Sequence, residues 1–292
     1  MAKQAGRIMV RKTPSATTQI EADIASLQNK AKWVRREVLE MCLAAGAGHI
    51  APAYSCTDII VALYQGGIMR VDPKNPSWPD RDRFILSKGQ GCASLYAVLA
   101  DMGFLPAEEL RTYCQLGTYL GGHSESNVRG VEAFTGSLGQ GFSLGVGMAL
   151  AARMDGRGYF TFVLLGDGEL QEGSVWEAAM FAGHHRLNNL VAIVDRNYLQ
   201  AINFTEEALG LEPLALKWEA FGWDVEVVDG HSFEEMLSLF GGLRSRDSEK
   251  PLAVIANTTK GKGVSFMENR TIWHFRIPAG VEVEQARKEL AR

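Results

Sequence analysis

Apolar positions along the chain follow two patterns, helical spacing and short continuous runs, and their order sets the expected architecture. Ile20 to Leu43 has helical periodicity and ends in a glycine-rich break, Ala45-Gly46-Ala47-Gly48. Thr57 is placed to N-cap a helix running through Leu63. Pro73, Pro76 and Pro79 then mark a surface loop. Phe84-Ile85-Leu86 reads as a short buried strand ending in Ser87-Lys88-Gly89, followed by a helix of small residues through Ala100. A second glycine-rich stretch, Gly136 to Gly147, leads into an alanine-rich helix around Met148 to Arg153.

The second half alternates more plainly. Strands are expected at Tyr159 to Leu165, Leu190 to Asp195, Asp224 to Val228 and Leu252 to Asn257. Between them fall helices at Ser174 to His185, Leu214 to Phe221 and Phe233 to Phe240. Continuous apolar strands separated by helices predict an α/β fold: a doubly wound, mostly parallel sheet with helices on both faces. No internal repeat or low-complexity segment interrupts it. The simplest organisation is a flexible tail over residues 1–20 and a single α/β domain over 21–292.

Composition narrows the function without naming it. The 292 residues, 46% hydrophobic and 22% charged, suit an ordinary globular protein. A net charge of −4 with no basic stripe gives no footprint for nucleic acid. No apolar run approaches the roughly 20 residues needed to span a bilayer. Cys42, Cys56, Cys92 and Cys114 form no C-x-x-C pair and read as reduced thiols. The basic, Ser/Thr-containing start lacks the apolar core of a secretory signal, with a transit peptide as the alternative to a plain tail. The expected location is the cytoplasm.

Candidate chemistry concentrates where strands end. In open α/β sheets ligands bind outside the carboxyl ends of the strands. The strand ending at Leu165 runs into Gly166-Asp167-Gly168-Glu169 and then a helix. Its glycines permit close backbone approach, and the helix N-terminus favours an anion. Asp167 would repel a phosphate unless a cation stood between them. Gly-Asp-Gly alone also fits a plain strand-to-helix turn. Asn197, at the end of the next strand about one βαβ unit away, shifts the reading to a metal-bridged diphosphate. A carboxylate, an amide oxygen, a backbone carbonyl and two phosphate oxygens suit Mg²⁺ or Ca²⁺. Gly139-x-Gly141 with Gly145 evokes a dinucleotide loop, but the spacing is wrong and no strand immediately precedes it.

Gly166-Asp167-Gly168 with Asn197 resembles the thiamine-diphosphate fingerprint, and the run from Gly166 to Gly173 is similar to transketolases in particular. The likeness extends from about Lys32 to His274. It takes in Gly48-His49, Gly122-His123, the stretch from Thr135 to Gly141, the stretch from Ala182 to Asn197, and Lys260-Gly261-Lys262-Gly263. Full transketolases carry further pyrimidine-binding and C-terminal domains. This chain stops soon after His274, so it resembles the N-terminal subunit of a split transketolase. The resemblance implies a partner chain with the pyrimidine domain, whose glutamate activates the cofactor, and an α₂β₂ assembly. It implies transfer of a two-carbon ketol unit from a ketose to an aldose with thiamine diphosphate and Mg²⁺ or Ca²⁺.

Residue roles follow from the same likeness. Asp167, Asn197 and the carbonyl of Leu199 match the metal ligands, and Gly168 matches a diphosphate contact. Gly136, Ser137 and Leu138 match a turn that meets the aminopyrimidine. His49, His123 and His274 match channel histidines whose neutral rings bond ketose hydroxyls and move protons. Glu172 and Glu177 match acids linking the two active sites of the dimer. Gln90 stands at a cofactor-contacting position where a histidine is usual, so it bonds but does not titrate. Tyr198 and Phe275 replace smaller residues, which predicts a narrowed or altered pocket and a specialised sugar substrate.

Three alternatives compete. A deoxyxylulose-phosphate synthase or a decarboxylating E1 component is opposed by the Leu-Gln-Glu-Gly run (170–173) and by the Lys-Gly-Lys-Gly segment. A non-catalytic regulatory subunit, with Gln90 as its scar, is opposed by the intact Asp167/Asn197 pair and the three histidines.

Overall fold

The computed structural model describes residues 16–291. Residues 1–15 of the expected tail lie outside the described residues, and a long helix, α1, begins at Ala16 and ends at Ala45. In chain order there follow α2 (Ile50–Gln65), β1 (Arg83–Leu86), α3 (Cys92–Asp101), α4 (Gln140–Met154), β2 (Thr161–Gly166) and α5 (Gly173–His184). The remainder is β3 (Leu190–Arg196), α6 (Thr205–Ala208), α7 (Leu214–Ala220), β4 (Asp224–Asp229), α8 (Phe233–Gly241), β5 (Leu252–Asn257) and α9 (Val281–Leu290).

The five strands form one parallel sheet in the order β1-β2-β3-β5-β4. Strand side chains alternate between faces, and both faces are covered. Phe84, Phe162, Leu164, Val191, Ile193 and Val254 pack into one core with α1, α2, α3 and α8. Ile85, Val163, Leu165, Ala192, Val194 and Ile255 pack into a second core with α4, α5 and α7. Double coverage is why β2, β3 and β5 read as unbroken apolar runs. β4, on the sheet edge, is the exception, and its Asp, Glu and exposed Val227 leave that edge partly in solvent.

One helix start differs from expectation. Thr57 does not cap a helix. It lies fully buried inside α2, where its hydroxyl donates to the Ala53 carbonyl at 3.0 Å and pairs with Ser94 at 2.9 Å. The helix instead starts after His49, and Pro52 sits in its first turn, where the missing N–H costs nothing. α4 likewise begins at Gln140, earlier than expected, from Gly139 in the left-handed region at φ +84°. All four cysteines are free thiols, and no helix among the described residues is long and apolar enough to cross a membrane.

Candidate active site

The carboxyl ends of β1, β2, β3 and β5 open into a cavity of roughly 330 Å³. β1 delivers Lys88 and Gln90, β2 delivers Asp167, Gly168 and Glu169, and β3 delivers Asn197 and Leu199. The segment after β5 brings Lys260. The start of α2 contributes His49, and loops contribute His123, Gly136, Leu138 and His274. Close approach at this mouth is built in: a Cβ on Gly89 would meet the Thr135 backbone at 2.9 Å, so only glycine lets the β1 loop lie against the 135–138 turn.

Asp167 is buried at the cavity floor. Its Oδ1 accepts from the Gly168 N–H at 2.8 Å and its Oδ2 from the Tyr198 N–H at 2.5 Å. Arg196 reaches Oδ2 at 3.3 Å, but the same guanidinium also serves Glu206 and Glu212. Burial, with the Asp195 carboxylate nearby, pushes Asp167 up to about 6. Burial thus outweighs the compensation from Arg196, and a divalent cation beside the carboxylate would favour its charged form. Asn197 holds the turn beside it. Its Oδ1 accepts from the Leu199 N–H at 3.2 Å, and its Nδ2 donates to the Asp195 carbonyl at 3.3 Å. Among the described residues no group of three His, Cys, Asp or Glu forms a metal cluster. One carboxylate with amide and carbonyl oxygens is a different donor set, and it suits a hard oxygen-loving ion.

At the cavity floor lies a buried ion pair. Asp195 is bonded by Lys88, by Thr258 and by the Ser55 hydroxyl at 2.6 Å. Lys88 also donates to the Pro52 carbonyl at 2.9 Å. Burial opposes charge on both partners, yet their mutual attraction holds Asp195 below its ordinary range and Lys88 above its own. Glu169, also buried, accepts from Ser87 at 2.5 Å, Gly139 N–H at 2.8 Å and Gly166 N–H at 3.0 Å, tying three loops of the mouth together.

The three histidines come together. The His49 ring lies 5.4 Å from that of His123 and 5.5 Å from that of His274. Burial, then the nearby His123 and Lys260, lowers His49 to about 4. Burial and Lys260 lower His274 to about 3. Both rings are neutral near pH 7.

Not every expected site residue lines this cavity. Glu172 and Glu177 are exposed on and beside α5 and do not line the cavity, and Ser137 is likewise absent from its wall. Tyr198 also stays out of the cavity. Its ring is stacked by Arg196 at 4.1 Å and its hydroxyl donates to Asn257 at 2.9 Å, so it does not narrow the pocket as expected. Phe275 lies at the rim, its exposed ring 4.8 Å from His49. Gln200 was not named from the sequence, and Lys88, Glu169, Asp195 and Lys260 appeared there only within strand or motif runs, without a role.

Residues 27–291 match the family model described as "Transketolase, thiamine diphosphate binding domain". The chain belongs to the transketolase family. It is 44% identical over 270 residues to one of the subunits of an apulose-4-phosphate transketolase from Phocaeicola vulgatus, covering 92% of this chain and 95% of that one. It is 45% identical to a 6-deoxy-6-sulfo-D-fructose transketolase subunit of a Clostridium species, covering 85% and 90%. Human transketolase is 38% identical over 86% of this chain, which spans 40% of the human protein. The solved transketolase of Campylobacter jejuni superposes with a TM-score of 0.85 at 32% identity, over 91% of this chain and 42% of that one. The family model and the superposition identify the parallel sheet as that of a transketolase's thiamine-diphosphate-binding domain.

Proposed function

We propose that this chain is the diphosphate-anchoring subunit of a cytoplasmic two-subunit transketolase that moves a two-carbon ketol unit from a specialised sugar donor to an aldose. Asp167, Asn197 and the Leu199 carbonyl would hold Mg²⁺ or Ca²⁺, with Gly168 against the diphosphate and Gly136, Ser137, Leu138 and Gln90 along the rest of the cofactor. The observation that carries this reading is Asp167: a buried carboxylate held up to about 6, beside Asn197, at the mouth of a parallel sheet. Bound thiamine diphosphate supplies the nucleophilic carbon that carries the transferred unit.

The chain's own residues position and exchange protons around it. The Lys260 ammonium donates to Nδ1 of His274 at 2.9 Å, which leaves that ring's proton on Nε2, free to donate. His49 and His274, neutral near pH 7, accept or give a proton at sugar hydroxyls during C–C cleavage and formation. Gln90 offers donor and acceptor without titrating.

The second subunit would bring the pyrimidine-binding domain and its glutamate in an α₂β₂ assembly, with Glu172 and Glu177 linking paired sites across it. The relatives named as transketolase subunits support a partner chain, and their names, which specify unusual sugars, support a specialised donor. Calorimetry with thiamine diphosphate and Mg²⁺, with and without the second subunit, tests the reading. Binding by the complex together with ketol transfer supports it. No cofactor binding by the complex overturns it.

A further inference from the structure

A second cavity, of roughly 250 Å³, lies on the opposite edge of the sheet from the active site. It sits where β2 and β3 begin: Phe160 and Asn189, which line it, immediately precede those strands. Four arginines line it as well, Arg153 at the end of α4, Arg157 just beyond, and Arg244 and Arg246 from the loop after α8. No Asp or Glu is among its described lining residues.

Each guanidinium is pinned through a single terminal nitrogen. Arg157 Nη1 bonds Asp80 at 2.8 Å, and Arg244 Nη2 bonds Asp82. Arg246 Nη2 bonds Asp224 at 2.9 Å and the Lys250 carbonyl at 2.5 Å. Arg153 Nη1 is held by the carbonyls of His185 and Arg186, and among the described residues no acid pairs with its charge. A guanidinium carries five N–H donors, so each fork is held in place with most of its donors uncommitted. Arg244 is further fixed over the Phe160 ring, 5.0 Å from its centroid.

Four pre-positioned guanidiniums select a compact, multiply charged oxyanion, and planar forks match phosphate oxygens two at a time. We propose that this cavity binds a phosphate group, free or as a monoester, held among Arg153, Arg157, Arg244 and Arg246. Occupancy would bridge the end of α4 to the loop after α8 at the foot of the sheet. The proposal is independent of the catalytic assignment, because the two cavities lie at opposite ends of the strands.

The test uses the full-length chain with glycerol 3-phosphate, inorganic phosphate and glycerol as probes, titrated calorimetrically with and without saturating thiamine diphosphate and Mg²⁺. Glycerol 3-phosphate lacks the carbonyl of a ketol donor or acceptor. Glycerol 3-phosphate, inorganic phosphate or both are expected to bind one site that thiamine diphosphate does not displace, the tighter of the two distinguishing a monoester from the free anion, and glycerol should not bind. The exposed double variant Arg153→Gln/Arg157→Gln, checked for an unchanged circular dichroism spectrum, should weaken binding by about tenfold or more, the scale of a lost charge-assisted hydrogen bond. Three results would each overturn the assignment: no binding of either phosphate probe, complete displacement by thiamine diphosphate, or full affinity in the arginine double variant.

Discussion

The ammonium of Lys260 stands 2.9 Å from Nδ1 of His274, a cation bonded to a ring that burial, together with that charge, keeps neutral. Burial, followed by the charge on Lys88, lowers Lys260 itself to about 8. Its folded value is thus below its unfolded one, near 10.4. The unfolded chain holds more protons between those values, so the stability of the ligand-free protein should rise as pH increases from about 8 to about 10 through this group. Lys260→Met should abolish that rise. It should also lower kcat on the order of a hundredfold, the effect of a misplaced acid–base group, because the tautomer of His274 is no longer fixed. Urea denaturation across pH and steady-state kinetics read the two effects; a kcat within twofold of the parent would refute the positioning role.

Asp167 titrates in the opposite sense. Burial and the adjacent Asp195 place it at about 6, so protons compete with a metal for the same oxygens below that value. Apparent Mg²⁺ affinity should be flat above about pH 7 and fall by about tenfold per unit below 6. Isothermal titration at several pH values measures the slope. Asp167→Ala should remove Mg²⁺-dependent binding of thiamine diphosphate altogether, with little loss of fold.

Lys88 and Asp195 are separated by 107 residues in the chain, yet they form the buried pair at the cavity floor. Lys88→Met would leave an uncompensated buried carboxylate and should destabilise the protein by about 3–5 kcal/mol. Lys88→Met/Asp195→Leu should recover a good part of that loss. In the parent, Asp195 has a depressed folded value, so its contribution is present above about pH 4 and is lost as pH falls through that lower value. Chemical denaturation of the two variants decides whether the pair or only the lysine matters.

How much of this was legible in the sequence follows from which forces are local. β2, β3 and β5 stood out because burial on both faces makes each a contiguous apolar run, and β5 was bounded to the residue, Leu252 to Asn257. The Gly-Asp-Gly turn and Asn197 were legible because chain order alone puts them at adjacent strand ends. The start of α2 was misplaced by favouring the hydroxyl of Thr57 over a first-turn proline, Pro52, which was the better signal. α9 was missed for its low apolar content, although Gly280, early Glu282 and Glu284, and late Arg287 and Lys288 mark its two ends. Lys88 and Glu169 could not be found this way. Their partners come from distant loops, and no spacing rule links a lysine after β1 to an aspartate at the end of β3. Tyr198, expected to narrow or alter the pocket, does not line it, because its left-handed backbone, φ +65°, and its stack on Arg196 carry the ring away from the cavity.

Phe275 is the aromatic that does reach the mouth. Its ring lies 4.8 Å from His49 and remains 58% exposed, so it forms a rim over the histidine cluster and does not belong to the core. A rim residue contacts whatever enters but does not hold the cofactor, so it should act on the sugar alone. Phe275→Gly should leave thiamine diphosphate affinity unchanged within about twofold and should not lower the melting temperature by more than a few degrees, since little apolar area is lost from the interior. The KM of the native donor should rise by roughly tenfold, about the contribution of one aromatic contact. Donors with bulkier or phosphorylated ends should gain in kcat/KM relative to it. If the variant keeps the parent's ranking of donors, Phe275 is a bystander and specificity is set from the other subunit. A changed ranking with constant cofactor affinity would place at least one specificity determinant on this chain, beside the histidines that handle the protons.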